Sequence, residues 1–103
     1  MSFRVILRPE AEVDIADAAD WYESQQSGLG GEFVAAVSQA IDGLSANPLL
    51  VSRRHRQRNI RWVRPTRFPY RIVYEVADGI VLVICVLHFA CDEHHWRKRL
   101  ADQ

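Results

Sequence analysis

Cysteine, lysine and long apolar runs are scarce in this sequence of 103 residues. Two cysteines, Cys85 and Cys91, do not make a disulfide framework, so the stability of the fold must come from one apolar core. The longest apolar run, Ile80 to Leu87, is far shorter than the ~20 residues of a membrane helix. The N-terminal residues lack the features of a secretion signal. These absences predict a soluble, cytoplasmic protein with a single domain at 1–103.

The order of the charges along the chain is more informative than their total, which is zero. Residues 9–51 hold eight acidic side chains and no Lys or Arg, whereas residues 52–71 hold eight arginines and no acidic side chain. Because a guanidinium group binds phosphate or carboxylate as a planar fork, this bias indicates recognition of an anion. The alternative is that the arginines pair with the acidic segment inside the same fold.

The first half of the chain predicts a strand followed by two helices. Residues 2–8 alternate between apolar and polar side chains, which is typical of a strand. Apolar residues at helical spacing predict one helix from Pro9 to about Gln25 and a second from Gly31 to Ala46. The glycines between them allow a tight connection, so we expect an antiparallel helix hairpin.

The second half predicts three strands after a basic loop at 49–59. They are expected at 60–63, 70–76 and 80–89, with a hairpin turn at 77–79. The continuous apolar run of the last strand indicates a central strand that is buried on both faces. A short C-terminal helix is predicted at 93–100. The fold class is therefore α+β, with the helix hairpin packed on an antiparallel sheet.

Five short motifs resemble those of the RelE/ParE toxins, also named plasmid stabilisation proteins, and they extend from Arg8 to Arg99. Their order and spacing together indicate the family. The motifs are Arg8-Pro9-Glu10-Ala11 with Asp14-Ile15; Trp21-Tyr22-Glu23 with Gly28-Leu29-Gly30 and Phe33; Asn47-Pro48; Arg67-Phe68-Pro69-Tyr70-Arg71-Ile72-Val73-Tyr74; and His88 with Asp92 and Trp96-Arg97.

This resemblance implies the toxic half of a bacterial type II toxin–antitoxin pair. The cognate antitoxin is the expected partner, docking by an amphipathic segment on the helix hairpin and on an exposed strand edge. Trp21 and Tyr22 are the candidate antitoxin-binding residues, although both could equally be core aromatics. No cofactor is expected. No metal is expected either, because His94 and His95 are adjacent and lack the i, i+4 spacing of a ligand pair.

The family contains toxins that cleave messenger RNA in the ribosome and toxins that poison DNA gyrase. Cleavage of RNA needs a base, an acid and cations around one phosphate. Arg71 and His88 correspond to residues of the ribonuclease branch, and Arg61 is a further candidate. However, Phe89 stands where that branch has Tyr, and no acidic residue lies between residues 42 and 75.

Because the ribonuclease set is incomplete and the motifs look closer to the ParE branch, inhibition of gyrase is the preferred interpretation. A ribosome-dependent messenger RNA endoribonuclease of the RelE type is the alternative. A non-toxic member stays open too, because many relatives have Arg where this chain has Cys91. The candidate residues for binding the target or a nucleic acid are Arg58, Arg64, Arg67, Arg97 and Arg99.

Overall fold

The computed structural model describes residues 3–49, 53–54 and 60–91. The predicted α+β fold, with an N-terminal strand and a helix hairpin on a sheet, is confirmed. The predicted C-terminal helix at 93–100 lies outside the described residues. Within them, no helix has the length and apolar character needed to cross a membrane. The elements are β1 (Arg4–Leu7), α1 (Pro9–Gln25), α2 (Leu29–Ala46), β2 (Arg53–Arg54), β3 (Ile60–Val63), β4 (Tyr70–Ala77) and β5 (Ile80–His88).

Two element boundaries differ from prediction in an informative way. Helix α2 begins at Leu29 and not at Gly31, because Gly28 adopts a left-handed conformation, with φ of +88°, that leads directly into the helix. Residues 53–54, expected in a loop, form the short strand β2 and pair with β3. The turn between β4 and β5 has two residues with positive φ, Asp78 and Gly79, as a tight hairpin with right-handed strand twist requires.

The five strands form one sheet in the order β1-β5-β4-β3-β2. Strands β3 to β5 are antiparallel, as predicted, and β2 pairs antiparallel with β3. Strand β1, in contrast, joins the sheet parallel to β5. Strand β5 therefore has a neighbour on each side and carries buried residues on both faces. The prediction of a central, doubly buried strand is confirmed.

A β-bulge in β5 decides which of its side chains face the helices. The pairing with β4 shifts by one residue between Val73 and Tyr74, which leaves Ile84 as an extra residue. Ile84 and Cys85 both pack in the cluster on the sheet face away from the helices, and Val86 returns to the core beneath the helices. Because side chains alternate along a strand, the bulge reverses the facing of every later residue of β5.

Asp14 of α1 supports β5 where β1 ends. Strand β1 pairs with β5 only as far as Val83, whose carbonyl accepts a further hydrogen bond from the Arg8 N–H. Beyond that point the Val86 N–H donates to Asp14 Oδ2 at 2.9 Å. The carboxylate thus takes the place of a strand partner and ties the first helix to the sheet.

Glu23 organises the connection between the helices. Its carboxylate accepts hydrogen bonds from the N–H groups of Gly28 at 2.9 Å and Gly30 at 3.0 Å. Amides at the start of a helix have no acceptor within the helix, and a negative charge is favourable there. A Cβ at Gly30 would lie 2.5 Å from the Ala19 carbonyl oxygen, so the close approach of the two helices requires glycine.

We expect Gly30→Ala to lower the free energy of unfolding by about 1–3 kcal/mol, because the added methyl group forces the helices apart. Gly31→Ala is the matched control: a Cβ at Gly31 meets no atom within 4 Å, and alanine favours the helix by up to about 1 kcal/mol. Urea unfolding of the two variants measures both effects. Equal stability of the two variants would contradict this account of the hairpin.

Candidate functional site

The end of the helix hairpin and the ends of β4 and β5 form a surface cleft lined by Trp21, Tyr22, Tyr70 and His88. The two aromatic residues of α1 lie in its last turns. Tyr70 begins β4 and pairs directly with His88 at the end of β5. Their rings meet edge to face with centroids 5.2 Å apart. The bulge is what turns His88 to this side of the sheet.

Tyr22 and Trp21 have different roles in this cleft. Tyr22 is half-buried and stacks on Phe33, with centroids 5.3 Å apart, and it meets Phe68 edge to face at 5.0 Å. It is therefore part of the core. Trp21 is 57% exposed and contacts the edge of Tyr22 at 5.0 Å. A rigidly seated but exposed tryptophan is the kind of side chain that anchors protein partners.

The polar groups of the cleft favour binding over proton transfer. Burial, together with the neighbouring Tyr22, raises the pKa of Tyr70 to about 12, so its phenol stays protonated at neutral pH. The Nδ1 atom of His88 accepts a hydrogen bond from the Ala90 N–H at 2.9 Å. One ring nitrogen is thus used to shape the chain after β5.

Arg71 lies on the opposite face of the sheet from this cleft. It follows Tyr70 along β4, and its guanidinium carbon lies 5.0 Å from the ring centroid of Trp62 and 4.6 Å from that of Phe89. Arg64 lies over the same Phe89 ring at 5.3 Å. We call these four residues, Trp62, Arg64, Arg71 and Phe89, the arginine–aromatic cluster.

The three candidate catalytic residues do not come together. Arg61 pairs with Tyr74 in the sheet, and its guanidinium donates to the Leu49 carbonyl at 3.4 Å, near the end of α2. Tyr74 lies four positions after Tyr70 along β4, so the Arg61 pair is about 13 Å along the strand from the pair of Tyr70 with His88. Arg71 belongs to the other face.

The arginines of the second half divide into two groups. Arg67 pairs with Glu32 of α2 at 2.9 Å. This ion pair joins the arginine-rich and acidic segments, which was the alternative to anion recognition. Arg64 and Arg71 instead donate to the main-chain carbonyls of Phe68 and Phe89. Within residues 3–49 and 60–91, neither of these two guanidiniums pairs with a carboxylate. Arg58, Arg97 and Arg99 lie outside the described residues.

Sequence reasoning missed the parts played by Trp62 and Phe89. The pairing of β3 with β4 places Trp62 opposite Val73, on the same face as Arg71, and this register was not deducible from the separate strands. Phe89 was considered only as the replacement of a catalytic tyrosine. Once two strands are known to be neighbours, the alternation of side chains along residues 60–63 and 70–76 indicates which of them share a face. This alternation was the available signal for the contact of Trp62 with Arg71.

Comparison with known proteins identifies the same fold in two toxin–antitoxin systems. A family model described as the ParE toxin of the type II toxin–antitoxin system parDE matches residues 5–91. A chain of the chromosomal ParDE system from P. aeruginosa superimposes with a TM-score of 0.74 at 12% identity, covering 84% of this chain and 96% of that one. A chain of the toxin–antitoxin complex RelBE2 from Mycobacterium tuberculosis gives a TM-score of 0.62 at 23% identity, covering 85% and 99%. The search of curated proteins found no match.

We expect the stability of the protein to fall as pH rises from 10 towards 12, in part through Tyr70. The folded protein holds the phenolic proton up to about pH 12, whereas the unfolded chain releases it near 10.0, so the unfolded state gains in this window. In Tyr70→Phe this contribution is absent, and its free energy of unfolding should decline less steeply with pH. Urea unfolding of both proteins across this range checks the difference, and parallel curves would contradict it.

Proposed function

The chain belongs to the ParE toxin family of type II toxin–antitoxin systems, and from this premise we propose that it binds DNA gyrase and blocks replication. In this proposal a cognate antitoxin neutralises the toxin in the bacterial cytoplasm. The toxin has no cofactor and catalyses no reaction of its own. The ParE match over most of the chain supports gyrase as the target, because gyrase is what the resemblance implies for that branch.

One observation supports gyrase over messenger RNA as the target: Arg71 and His88 lie on opposite faces of the sheet. His88 contacts Tyr70 on the helix side, while Arg71 contacts Trp62 and Phe89 on the opposite side. A ribonuclease must bring a cation, a base and an acid to one phosphate group. In this arrangement the candidate side chains do not converge, which supports a binding role.

The RelE-type messenger RNA endoribonuclease is the second candidate. His88 favours it, since this side chain lines an open cleft beside a protonated phenol, Tyr70. Histidine is the side chain best suited to proton transfer at neutral pH. A single variant, His88→Ala, therefore separates the two functions.

We expect excess purified protein to inhibit supercoiling by gyrase. Induced in a bacterial host, it should cause growth arrest with filamentation and a DNA-damage response while messages stay intact. His88→Ala should keep full toxicity, because the proposed mechanism uses no proton transfer. Folding of the variant is checked by circular dichroism. Unimpaired supercoiling would contradict inhibition of gyrase. Rapid message cleavage that His88→Ala abolishes would support the ribonuclease function instead.

We also propose that the antitoxin docks at the cleft, with Trp21 as its anchor and Tyr22 as the support of that anchor. Exposed aromatic side chains seated on a rigid base contribute much of the energy of protein interfaces. The acidic, lysine- and arginine-free surface of α1 surrounds the anchor. The arginines at 58, 64, 67, 97 and 99 are the proposed contacts to the target.

Trp21→Ala should weaken antitoxin binding about tenfold or more, because it removes the anchor. Val13→Ala is the control: Val13 and Trp21 are each 57% exposed on α1, but Val13 does not line the cleft. Calorimetric titration with the antitoxin encoded beside this chain compares the variants. Equal losses of affinity in the two variants would indicate general apolar contact along α1 and would contradict the cleft as the docking site.

A further inference from the structure

The arginine–aromatic cluster places two arginines over aromatic rings, and each makes one hydrogen bond to the described residues. Arg71 lies over both Trp62 and Phe89, and Arg64 lies over Phe89. Each donates to one main-chain carbonyl: Arg64 Nε to Phe68 at 3.3 Å, and Arg71 to Phe89 at 3.5 Å. A guanidinium has five N–H groups, so the described residues accept from only a minority of the donors of each arginine.

This arrangement differs from that of the arginines that serve the fold. Arg8 and Arg67 pair with Glu10 and Glu32, respectively. In the part of the chain that the structure describes, Arg64 and Arg71 pair with no carboxylate. Aromatic stacking orders their long side chains before a partner arrives, so binding loses less conformational entropy. Two guanidiniums that lie over half-buried aromatic rings, without a carboxylate among the described residues, are suited to an anion on an adjoining polypeptide.

Two anions could fit, a phosphate of a nucleic acid or a carboxylate of a protein, and the observations favour the carboxylate. Nucleic-acid-binding domains are typically strongly basic, with pI above about 9. This chain has a net charge of zero and a pI near 6.9. Its family membership supplies a protein partner, the antitoxin.

We propose that Arg64 and Arg71 form a clamp for Asp or Glu side chains of the antitoxin, with Trp62 and Phe89 as its apolar walls. The inference rests on the proposed function, which supplies the antitoxin as the partner. The proposed function also assigns Arg64 to the contact with the target. Neutralisation then includes direct competition, since the antitoxin occupies an arginine that the target would use. The clamp lies on the sheet face away from the Trp21 cleft, so the antitoxin must reach both faces of the toxin.

The test measures the affinity of the antitoxin encoded beside this chain for Arg64→Gln, Arg71→Gln and the control Arg4→Gln. Arg4 is an exposed arginine of the edge strand β1, and β5 and β4 lie between β1 and β3 in the sheet. We expect the first two to weaken binding about 10- to 100-fold and to reduce its salt dependence, because a charge-assisted hydrogen bond is lost. The control should bind like the parent.

A second measurement keeps the clamp falsifiable if Arg71→Gln unfolds. Arg71→Lys retains the charge but loses the planar fork and much of the stacking, so it should also bind more weakly. In double-mutant cycles, each antitoxin Asp or Glu is changed to Asn or Gln against Arg64→Gln and Arg71→Lys. At least one acidic position should give a non-additive result. Strict additivity at all of them would overturn the proposal.

Recognition of nucleic acid by the two arginines, and failure of the proposed function, can each be distinguished from failure of the clamp. If folded Arg64→Gln and Arg71→Lys bind the antitoxin normally but lose binding of a duplex or single-stranded DNA oligonucleotide, the pair recognises nucleic acid and the clamp is wrong. Gyrase supercoiling, assayed with the parent protein and no antitoxin, reports on the proposed function alone. A failure there leaves the antitoxin affinities, and hence the test of the clamp, unaffected.

Discussion

The extra residue in β5 is the constraint on which the placement of the candidate site residues depends. With Ile84 bulged out of register, Val86 packs beneath the helices and His88 joins Tyr70 at the cleft. Asp14 holds the Val86 N–H two residues beyond the bulge, so the irregular part of the strand is tied to the first helix. Had β5 kept regular alternation, His88 would face the same side as Arg71.

This division gives the protein two candidate binding surfaces that differ in chemistry. On the helix side, Tyr22 connects the core to an exposed Trp21, and the surrounding helical surface is acidic. On the other side, Trp62 and Phe89 order two arginines. A protein that binds rather than catalyses can use such separate surfaces, because it needs complementarity over an area and not convergence at one atom.

The segregation of charge along the chain has a mixed structural meaning. Part of it serves the fold: Glu23 supports the start of α2, and Glu32 of α2 pairs with Arg67 of the connection between β3 and β4. Another part does not pair in this way: among the described residues, Arg64 and Arg71 contact carbonyls and rings in place of carboxylates. The interpretation of pairing within the fold therefore holds for Arg67, whereas recognition of an anion by Arg64 and Arg71 stays a prediction.

The sequence by itself determined the α+β class, both helices and all four of the longer strands, because apolar periodicity and turn residues act over short stretches of chain. It also indicated the family, through the order and spacing of short motifs such as Trp21-Tyr22-Glu23. The tertiary structure alone decided the parallel pairing of β1 and the bulge at Ile84. It alone placed Arg71 and His88 on opposite faces and brought Trp62 and Phe89 to Arg71. These features depend on strand pairing and register, which are set by the packing of each strand against its neighbours and the helices, and no single segment encodes its own register.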